Sequence, residues 1–329
     1  MGLAAAYTRP GNPAEVLKLI DVDTPQAGPG QVVVRVTAFP IHPGDLQAIE
    51  RSHESNRPMR AGIEATGVVD QIGADVTSLA VGQRVTVFPA PGAWCERITV
   101  DAEFAVAVPD AVPDDVAAQM LVNPITVLML RREAEKHYAT GYDGVVLNNA
   151  AGGAVGRLLT AVFDFHRIAT ISIVRSTEGA VRLRERFPAV PVVATDRGDW
   201  TVTVRELIAG RPVTAALDPI GGQLGGDLLR LLSPGGMLVS YGQMAPEPLA
   251  LHASDVLATG LTVRGLTIGR WAETSSPEQR ASDTRTAALI AQALPGQFDV
   301  ARVYRLAELS SAVDHVNRAG KVGTIIVRP

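Results

Sequence analysis

The stretch covering residues 145–175 constrains the fold of this chain more than any other part of the sequence. A short β-branched run opens onto small residues, continues as an apolar pattern with helical spacing, and returns to a second β-branched run. This order predicts a βαβ unit with a glycine-rich first turn. The turn has the spacing A-x-x-G-x-x-G, with Ala150, Gly153 and Gly156 at the key positions. Such small residues let backbone N–H groups approach a pyrophosphate, and the N-terminus of the following helix favours negative charge.

The end of the second strand indicates which dinucleotide the unit would bind. An NAD site usually places Asp or Glu about 20 residues after the glycines, where it accepts a hydrogen bond from the adenine ribose 2′-hydroxyl. This chain has Arg175, Ser176 and Thr177 there, and the first carboxylate is Glu178. A guanidinium and two hydroxyls suit a 2′-phosphate, so we expect NADP(H). An ordinary exposed arginine at a strand end is the alternative.

Composition narrows the class of protein. The 329 residues are too many for one simple core and fit two domains. A hydrophobic content of 47%, a charged content of 19% and a net charge of −4 are typical of a globular protein. There is no basic stripe to suggest a nucleic-acid partner. No apolar run approaches the length of a membrane span.

The N-terminus and the cysteine content predict where the protein works. The first residues lack a charged region followed by a long apolar run, so we expect no signal peptide and a cytoplasmic location. Cys95 is the only cysteine. It can form no intrachain disulfide, and a cysteine-rich zinc lobe is excluded.

The first third of the chain predicts a β-rich domain. Short apolar runs punctuated by glycine and proline predict strands at residues 17–22, 31–38, 65–72, 84–88 and 94–100. The polar, aperiodic segment 50–60 predicts a mobile loop. A helical pattern begins near Pro113, and Pro124 is expected to break or kink it.

After residue 145, strands and helices alternate, which predicts a doubly wound parallel sheet. Further strands are expected at residues 190–195, 213–217, 236–241 and 261–268, with helices at 201–209 and 225–232. A helix at 278–294 and a last strand at 324–327 do not continue this alternation. We expect them to rejoin the first domain, so the predicted domains are 1–122 with 272–329, and 123–271.

Several short motifs occur in a recognisable order. They are I-H-P-G-D at 41–45, G-I-E-A-T-G-V-V at 62–69, V-G-Q-R-V at 81–85, V-N-P-I-T at 122–126, I-V-R at 173–175, Y-G-Q-M at 241–244 and R-G-L at 264–266 followed by Trp271. Together they resemble the medium-chain dehydrogenase/reductase superfamily over essentially the whole chain. The V-N-P-I-T motif and those after it resemble the zinc-free quinone oxidoreductase and 2-enoyl thioester reductase branch.

The resemblance implies an α/β protein with a GroES-like β-rich catalytic domain, a Rossmann domain and a nicotinamide bound in the cleft between them. It implies that Asn123 and Thr126 flank the nicotinamide, and that Gly152, Gly153, Ala154 and Val155 contact the pyrophosphate. Arg175, Ser176 and Thr177 would bind the 2′-phosphate. The cofactor channel would be lined by Tyr241, Gly242, Gln243, Met244, Leu266 and Ile268. The superfamily also commonly pairs its last Rossmann strand with a symmetry mate, which implies a homodimer.

The sequence departs from the zinc alcohol dehydrogenases of this superfamily. Those enzymes bind catalytic zinc through a cysteine, the histidine of G-H-E and a later Cys or Glu. Ile63 stands in place of that histidine, and no cysteine lies near Asp45. An aliphatic side chain cannot ligate zinc, so no metal site is expected. Glu64 persists without its usual partner.

A second departure concerns the proton donor. Enoyl thioester reductases have a tyrosine shortly after I-N-P-x-D, and His53 falls at that place here. A histidine could donate a proton at neutral pH, although a solvated loop histidine is the alternative. His42 replaces the family's asparagine and is a second candidate, or a structural residue. Thr324 lies near the position of a cofactor-contacting lysine, so thioester substrates are in doubt.

Two functions remain open from the sequence. The first is an NADPH-dependent, zinc-independent reductase that transfers hydride to the activated C=C bond of an enone, enoyl ester or thioester, or to a quinone. In this reading a small conjugated carbonyl compound or quinone is the partner. The second is a sensor or structural protein that binds NADPH without turnover.

Overall fold

The computed structural model describes residues 1–138, 144–318 and 320–329. The chain divides into two compact units, each with its own sheets and core. The first combines Met1–Pro124 with Ser276–Pro329, and the second is Ile125–Ser275. None of the helices within the described ranges is long and apolar enough to cross a membrane.

The strands and helices in these ranges are named in chain order. The strands are β1 (Gly2–Tyr7), β2 (Lys18–Val22), β3 (Gln31–Ile41), β4 (Met59–Arg60), β5 (Ala65–Ile72), β6 (Arg84–Val87), β7 (Arg97–Asp101), β8 (Ala105–Ala107), β9 (Val145–Asn148), β10 (Thr170–Val174), β11 (Val192–Ala194), β12 (Val213–Asp218), β13 (Met237–Ser240), β14 (Thr262–Gly265), β15 (Val300–Arg305) and β16 (Thr324–Arg328). The α-helices are α1 (Pro13–Val16), α2 (Pro43–Glu50), α3 (Asp114–Ala117), α4 (Val122–Tyr138), α5 (Ala154–Phe165), α6 (Thr177–Arg186), α7 (Trp200–Ile208), α8 (Gly222–Leu229), α9 (Ala253–Thr259), α10 (Ile268–Thr274), α11 (Pro277–Ala293) and α12 (Leu309–Val316).

The first unit is β-rich, as the sequence predicted, and strand β3 is its centre. β3 pairs in antiparallel fashion with β5, β7 and β16. A smaller sheet has the order β2-β1-β4. The core contains the stacked rings of Phe39 and Trp94, whose centroids lie 5.7 Å apart. Strands β15 and β16 come from the end of the chain, so this unit is discontinuous in sequence.

The second unit contains a six-stranded sheet in which every pair is parallel, with the order β11-β10-β9-β12-β13-β14. Counted from β9, this is the 3-2-1-4-5-6 order of a dinucleotide-binding fold. The doubly wound parallel sheet predicted from the alternating pattern is therefore confirmed. The strand order reverses between β9 and β12, and ligands of such sheets bind outside the carboxyl ends of the strands at this point.

The glycine-rich turn allows α5 to pack closely behind β9. A Cβ atom on Gly156 would lie 2.5 Å from the Ala150 carbonyl oxygen, so only glycine fits there. Ala150 itself has a φ of 53°, in the left-handed region that favours glycine. A Cβ on Gly152, by contrast, would meet nothing closer than 3.8 Å. Gly156, the last residue of the motif, is thus fixed by packing, whereas Gly152 is exposed beside the start of α5.

Three predicted segments differ from the structure. Pro124 does not break the helical pattern but lies in the first turn of α4, where a missing backbone N–H is tolerated. The strand expected at 261–268 ends at Gly265, and α10 begins at Ile268 because the Thr267 hydroxyl accepts a hydrogen bond from Arg270 N and caps the helix. The segment 50–60 is loop only in its middle. Residue 50 ends α2, and β4 pairs with β1 through backbone hydrogen bonds that side-chain polarity does not reveal. The mobility of this segment stays a prediction.

Candidate active site

The carboxylate of Asp218 organises the carboxyl edge of the parallel sheet. It is fully buried at the end of β12. Its Oδ1 accepts hydrogen bonds from Asn149 Nδ2 at 2.8 Å and Ile220 N at 2.9 Å, and its Oδ2 accepts one from Gly221 N at 2.9 Å. The Asp218 carbonyl oxygen also accepts from Tyr241 N at 3.0 Å. One residue therefore ties together the loops that follow β9, β12 and β13.

The glycine-rich turn lies at the switch point of this edge and leaves the start of α5 accessible. Gly152 and Gly153 are exposed, and Ala154 and Val155 are partly exposed in the first turn of α5. The buried Arg157 donates a hydrogen bond from Nη1 to the Gly152 carbonyl oxygen at 2.6 Å. Backbone N–H groups and a cation at a helix N-terminus suit a pyrophosphate, so the residues present fit this part of a dinucleotide.

The three residues predicted for the 2′-phosphate follow β10, but they differ in exposure and in their hydrogen-bond partners. Arg175 is exposed, and the Ser176 hydroxyl caps α6 by accepting a hydrogen bond from Gly179 N at 3.1 Å. Thr177 is already bound, because its N and Oγ1 both donate to the carboxylate of Asp196, at 2.7 and 3.0 Å. Arg175 thus offers an exposed guanidinium at this strand end.

The residues predicted for the nicotinamide lie in the first two turns of α4. Asn123 and Thr126 are both buried. The Asn123 side-chain amide nitrogen is buried and has no hydrogen-bond partner among the described residues. A buried donor without an acceptor is costly, which is why such groups in proteins are usually bound to a ligand or water when they are not paired internally. A carboxamide oxygen would satisfy this donor, so Asn123 fits a nicotinamide.

In the first unit, His42 and Glu64 form a buried pair. His42 Nε2 lies 2.8 Å from Glu64 Oε2. The other oxygen of Glu64 accepts hydrogen bonds from the backbone N–H groups of Leu121 and Val122, at 2.8 and 3.0 Å. Glu64 therefore joins the imidazole to the start of α4. His42 N also donates to Asp45 Oδ2 at 3.0 Å across the first turn of α2.

These contacts set the protonation of the cluster. Burial by itself disfavours the imidazolium, but the Glu64 hydrogen bond and the charges of Glu64 and Asp45 outweigh it and raise the pKa of His42. Burial raises the pKa of Asp45 to about 6, although the charge and the N–H of His42 act against this. These contacts therefore favour the protonated form of His42 more than water does.

His53, the other predicted proton donor, lies in the loop after α2. It is exposed, and no described residue forms a hydrogen bond or ion pair with it. The same loop is anchored near Ser55, whose N donates to the Thr8 carbonyl oxygen at 2.8 Å. The structure does not bring His53 to His42, and the role of each histidine stays a prediction.

The remaining predicted cofactor residues surround the ends of β13 and β14. Tyr241 and Gly242 are partly exposed, Gln243 and Met244 are exposed, Leu266 is buried, and Ile268 begins α10 rather than ending a strand. A Cβ on Gly242 would lie 2.8 Å from the Pro219 carbonyl oxygen, so glycine is required for these loops to meet.

A cavity of about 210 Å³ lies beside Leu266 in the second unit. Its lining includes the guanidinium-bearing residues Arg132, Arg264 and Arg270 and one carboxylate, that of Glu133. Arg264 Nε pairs with Glu133 Oε2 at 3.1 Å, so the carboxylate is neutralised within the cavity. The strand end therefore opens on a positively charged surface.

The positions expected to differ from zinc enzymes and thioester reductases have internal roles. The described residues contain no group of three or more His, Cys, Asp or Glu that could hold a metal ion. Cys95 is buried, and burial raises the pKa of its thiol to about 11. Thr324 is buried in β16, where its hydroxyl donates to Gln119 Oε1 at 2.5 Å. No cofactor contact is therefore needed to explain Thr324.

Sequence reasoning missed Asn149, Arg157, Asp196 and Asp218. Asp218 had a visible signal, because it directly follows a predicted buried strand and precedes P-I-G-G, where a carboxylate can accept loop N–H groups. Asn149 and Arg157 lie within the recognised glycine-rich unit. Asp196 had no signal, because nothing in the sequence shows that it reaches Thr177.

Two families match this chain. The alcohol dehydrogenase GroES-like domain matches residues 28–110, and the zinc-binding dehydrogenase family matches residues 154–282. The chain belongs to the medium-chain dehydrogenase/reductase superfamily. Both the resemblance and the fold class expected from the sequence motifs are confirmed, including the GroES-like character of the β-rich domain.

Relatives place the chain in the quinone oxidoreductase and enoyl reductase branch of the superfamily. The mitochondrial enoyl-[acyl-carrier-protein] reductase of Mus musculus is 28% identical over 288 residues, covering 84% of this chain and 75% of the relative. A Bacillus thuringiensis protein described as an NADPH:quinone reductase has 28% identity and a TM-score of 0.89, covering 100% of this chain and 99% of that one. A 2-haloacrylate reductase has 25% identity and a TM-score of 0.79, covering 99% of each chain.

Arg175→Ala is expected to weaken NADPH binding by about 10- to 100-fold, because charge-assisted hydrogen bonds to phosphate are the strong ones. NADH, which lacks the 2′-phosphate, should be affected much less. Fluorescence titration of both dinucleotides measures the two dissociation constants. Arg182→Ala is the matched control, since Arg182 lies in the middle of α6 and pairs with Glu178. Equal affinity of the unmodified protein for both dinucleotides would contradict the prediction.

Proposed function

We propose that this chain is a zinc-independent, NADPH-dependent reductase. It transfers hydride to the activated C=C bond of an enone, enoyl ester or thioester, or to a quinone. The relatives named above are enoyl, quinone and haloacrylate reductases, and this supports an oxidoreductase that uses NADPH. The substrate is a small molecule with a conjugated carbonyl group or a quinone ring.

The observation that carries the proposal is the buried Asn123 amide. Its Nδ2 has no acceptor among the described residues, and it lies in the first turn of α4 within the V-N-P-I-T motif. The glycine-rich turn, the Arg157 guanidinium and the exposed Arg175 provide matching groups for the pyrophosphate and the 2′-phosphate. Within the first unit Asn123 suits the nicotinamide carboxamide, and within the second unit the turn and the arginines suit the phosphates of NADPH.

Zinc independence rests on the residues that replace zinc ligands. Ile63 cannot ligate a metal, and Cys95, the only cysteine, is buried as a thiol with a raised pKa. Glu64, which persists from the zinc motif, is used by His42 and by two backbone N–H groups. Without a Lewis acid, the acceptor must already be electrophilic at its β-carbon, as conjugated carbonyl compounds and quinones are.

NADPH supplies the hydride, and the chain must position the dinucleotide and provide a proton. Asn123 orients the carboxamide, and the loops held by Asp218 fix the channel around the cofactor. Hydride addition to a conjugated carbonyl leaves an enolate, which needs hydrogen-bond donors and then a proton. The pair of His42 and Glu64 favours His42 as the donor, because the Glu64 carboxylate raises the pKa of the imidazole.

The proposal is tested by mixing the purified protein with NADPH and a panel of acceptors. NADPH oxidation is followed as the loss of the absorbance of the reduced nicotinamide at about 340 nm. The panel contains a quinone, a cyclic enone, and a crotonyl thioester in neutral and anionic forms, since the cavity beside Leu266 is positively charged. We expect oxidation with at least one acceptor. NADPH binding without oxidation by any of them would favour a sensor or structural protein instead.

His42→Asn is expected to lower kcat for enone reduction by about 100- to 10,000-fold, the usual range for loss of a general acid. NADPH affinity should be unchanged, and quinone reduction should fall less, because water can protonate the product oxygens. For the unmodified protein, the enone rate should fall as the pH rises through the pKa of His42, which is raised above its ordinary value. This limb should be absent in His42→Asn.

His53→Phe tests the other candidate under the same conditions. A selective drop in enone reduction by this variant, with His42→Asn retaining the normal rate, would assign the proton to the loop histidine. Normal enone rates in both variants would mean that water protonates the product. Glu64→Gln should shift the pH limb downward, because it removes the charge that stabilises the imidazolium.

A homodimer is part of this proposal, and β14 supports it. This edge strand is exposed along its whole length, and Val263 is 39% exposed. Thr262 N donates to the Gly236 carbonyl oxygen and Leu266 N to that of Ser240, so both point toward β13. Backbone N–H groups alternate in direction along a strand, so the N–H of Val263 lies on the open edge. An unprotected β-branched edge invites pairing with a second copy.

Light scattering at micromolar concentration should therefore give the mass of a dimer. Val263→Pro removes the outward N–H and should produce a monomer, whereas Val263→Ala retains the N–H and should remain dimeric. A monomeric unmodified protein would argue against pairing through β14.

A further inference from the structure

The segment after β11 brings a carboxylate to the start of α6. Asp196 accepts two hydrogen bonds from Thr177, from the backbone N at 2.7 Å and from Oγ1 at 3.0 Å. The preceding residue fixes this arrangement, because Thr195 N donates to the Val174 carbonyl oxygen at 2.9 Å and Thr195 Oγ1 donates to that of Arg175 at 3.4 Å. The carboxylate therefore lies beside the residues expected to bind the 2′-phosphate.

The contact uses the donors that a phosphate would need. α6 begins at Thr177, and an anion is favoured at a helix N-terminus. The side chain of Asp196 holds this position. Asp196 is exposed, and the hydrogen bond from Thr177 N lowers the pKa of its carboxyl, so the group is ionised at neutral pH.

A 2′-phosphate and a 2′-hydroxyl interact with this carboxylate in opposite ways. The phosphate is an anion that needs donors, so it competes with Asp196 for Thr177 and is repelled by its charge. A ribose 2′-hydroxyl is a donor and can bind a carboxylate, as it does in NAD-specific folds. Arg175 favours the phosphate, whereas Asp196 favours the hydroxyl.

We propose that Asp196 is a specificity-determining residue that occupies the Thr177 donors, opposes the 2′-phosphate of NADPH and accepts a hydrogen bond from the 2′-hydroxyl of NADH. The balance between Arg175 and Asp196 then sets the cofactor preference, and the preference for NADPH is weaker than Arg175 alone would give. The inference rests on the proposed NADPH site and adds a residue that the cofactor motif does not contain.

Asp196→Asn tests this inference, because it removes the charge and keeps an oxygen that can accept from Thr177 N. We expect NADPH to bind about 5- to 10-fold more tightly at low ionic strength, with a smaller gain at high salt because exposed charges are screened. NADH should bind equally or more weakly. Fluorescence titration of each dinucleotide gives the dissociation constants, and competition by 2′,5′-ADP isolates the contribution of the 2′-phosphate.

Asp199→Asn is the matched control. Asp199 is also exposed and lies at the start of α7, and its side chain makes no capping hydrogen bond. The change in net charge is the same, so a general electrostatic effect would appear in both variants. A gain for NADPH and 2′,5′-ADP that is confined to Asp196→Asn supports the inference.

Three results would overturn it. Unchanged dissociation constants in Asp196→Asn would mean that the carboxylate does not meet the ribose. Equal weakening of NADPH and NADH would mean that Asp196 only caps α6, and a lower thermal midpoint should accompany that result. If the unmodified protein binds neither dinucleotide, the proposed function fails together with this inference, whereas normal NADPH binding with no effect of Asp196→Asn removes this inference alone.

Discussion

The candidate cofactor site depends on the buried carboxylate of Asp218. Charged groups are rarely buried without compensation, and here the compensation comes from the Asn149 amide and two backbone N–H groups of the following loop. Asn149 in turn accepts a hydrogen bond from Ala150 N at 2.8 Å, which connects the carboxylate to the first residue of the glycine-rich turn. The turn is thus held by β12 as well as by β9, the strand that precedes it. Hydrogen bonds therefore connect the two strand ends at the point where the strand order reverses.

Glu64 has a comparable function in the first unit. It is 1% exposed, and its two oxygens serve different partners, one the imidazole of His42 and the other the N–H groups at the start of α4. In zinc enzymes of the superfamily this glutamate follows the histidine that binds zinc. Ile63 stands in place of that histidine and cannot bind a metal. Here the carboxylate organises the backbone at the start of α4 and binds the imidazole of His42.

The adenine end of the candidate site shows a conflict between two signals. Arg175 and the hydroxyls beside it are a pattern that favours a 2′-phosphate, yet Asp196 supplies the carboxylate that NAD sites use. Asp196 follows β11, whereas the carboxylate of an NAD site is expected to follow β10. Under the proposal that Asp196 opposes the 2′-phosphate, cofactor preference would depend on charges from two neighbouring strand ends, and a single motif would not fully define it.

Long, regular features were predictable from the sequence. The parallel sheet followed from the alternation of buried strands and amphipathic helices, and Gly156 followed from the spacing of the glycine-rich turn. The short or exposed elements were not, for physical reasons. β14 was predicted too long because the apolar run continues through Leu266 and Ile268 into α10, and only the Thr267 cap separates the two. β4 has two residues and is defined by pairing with β1.

The sequence by itself determined the family, the βαβ unit and the cofactor class that its turn suits, because these depend on local spacing and on residue size. Tertiary structure decided the partners of the charged groups. Glu64 lies 22 residues from His42, and Asp196 lies 19 residues from Thr177. Both separations are too long for neighbouring side chains on one helix or strand, so each pair forms only when separate elements of its unit pack together. The pairing of His42 with Glu64 and of Thr177 with Asp196 follows from that packing.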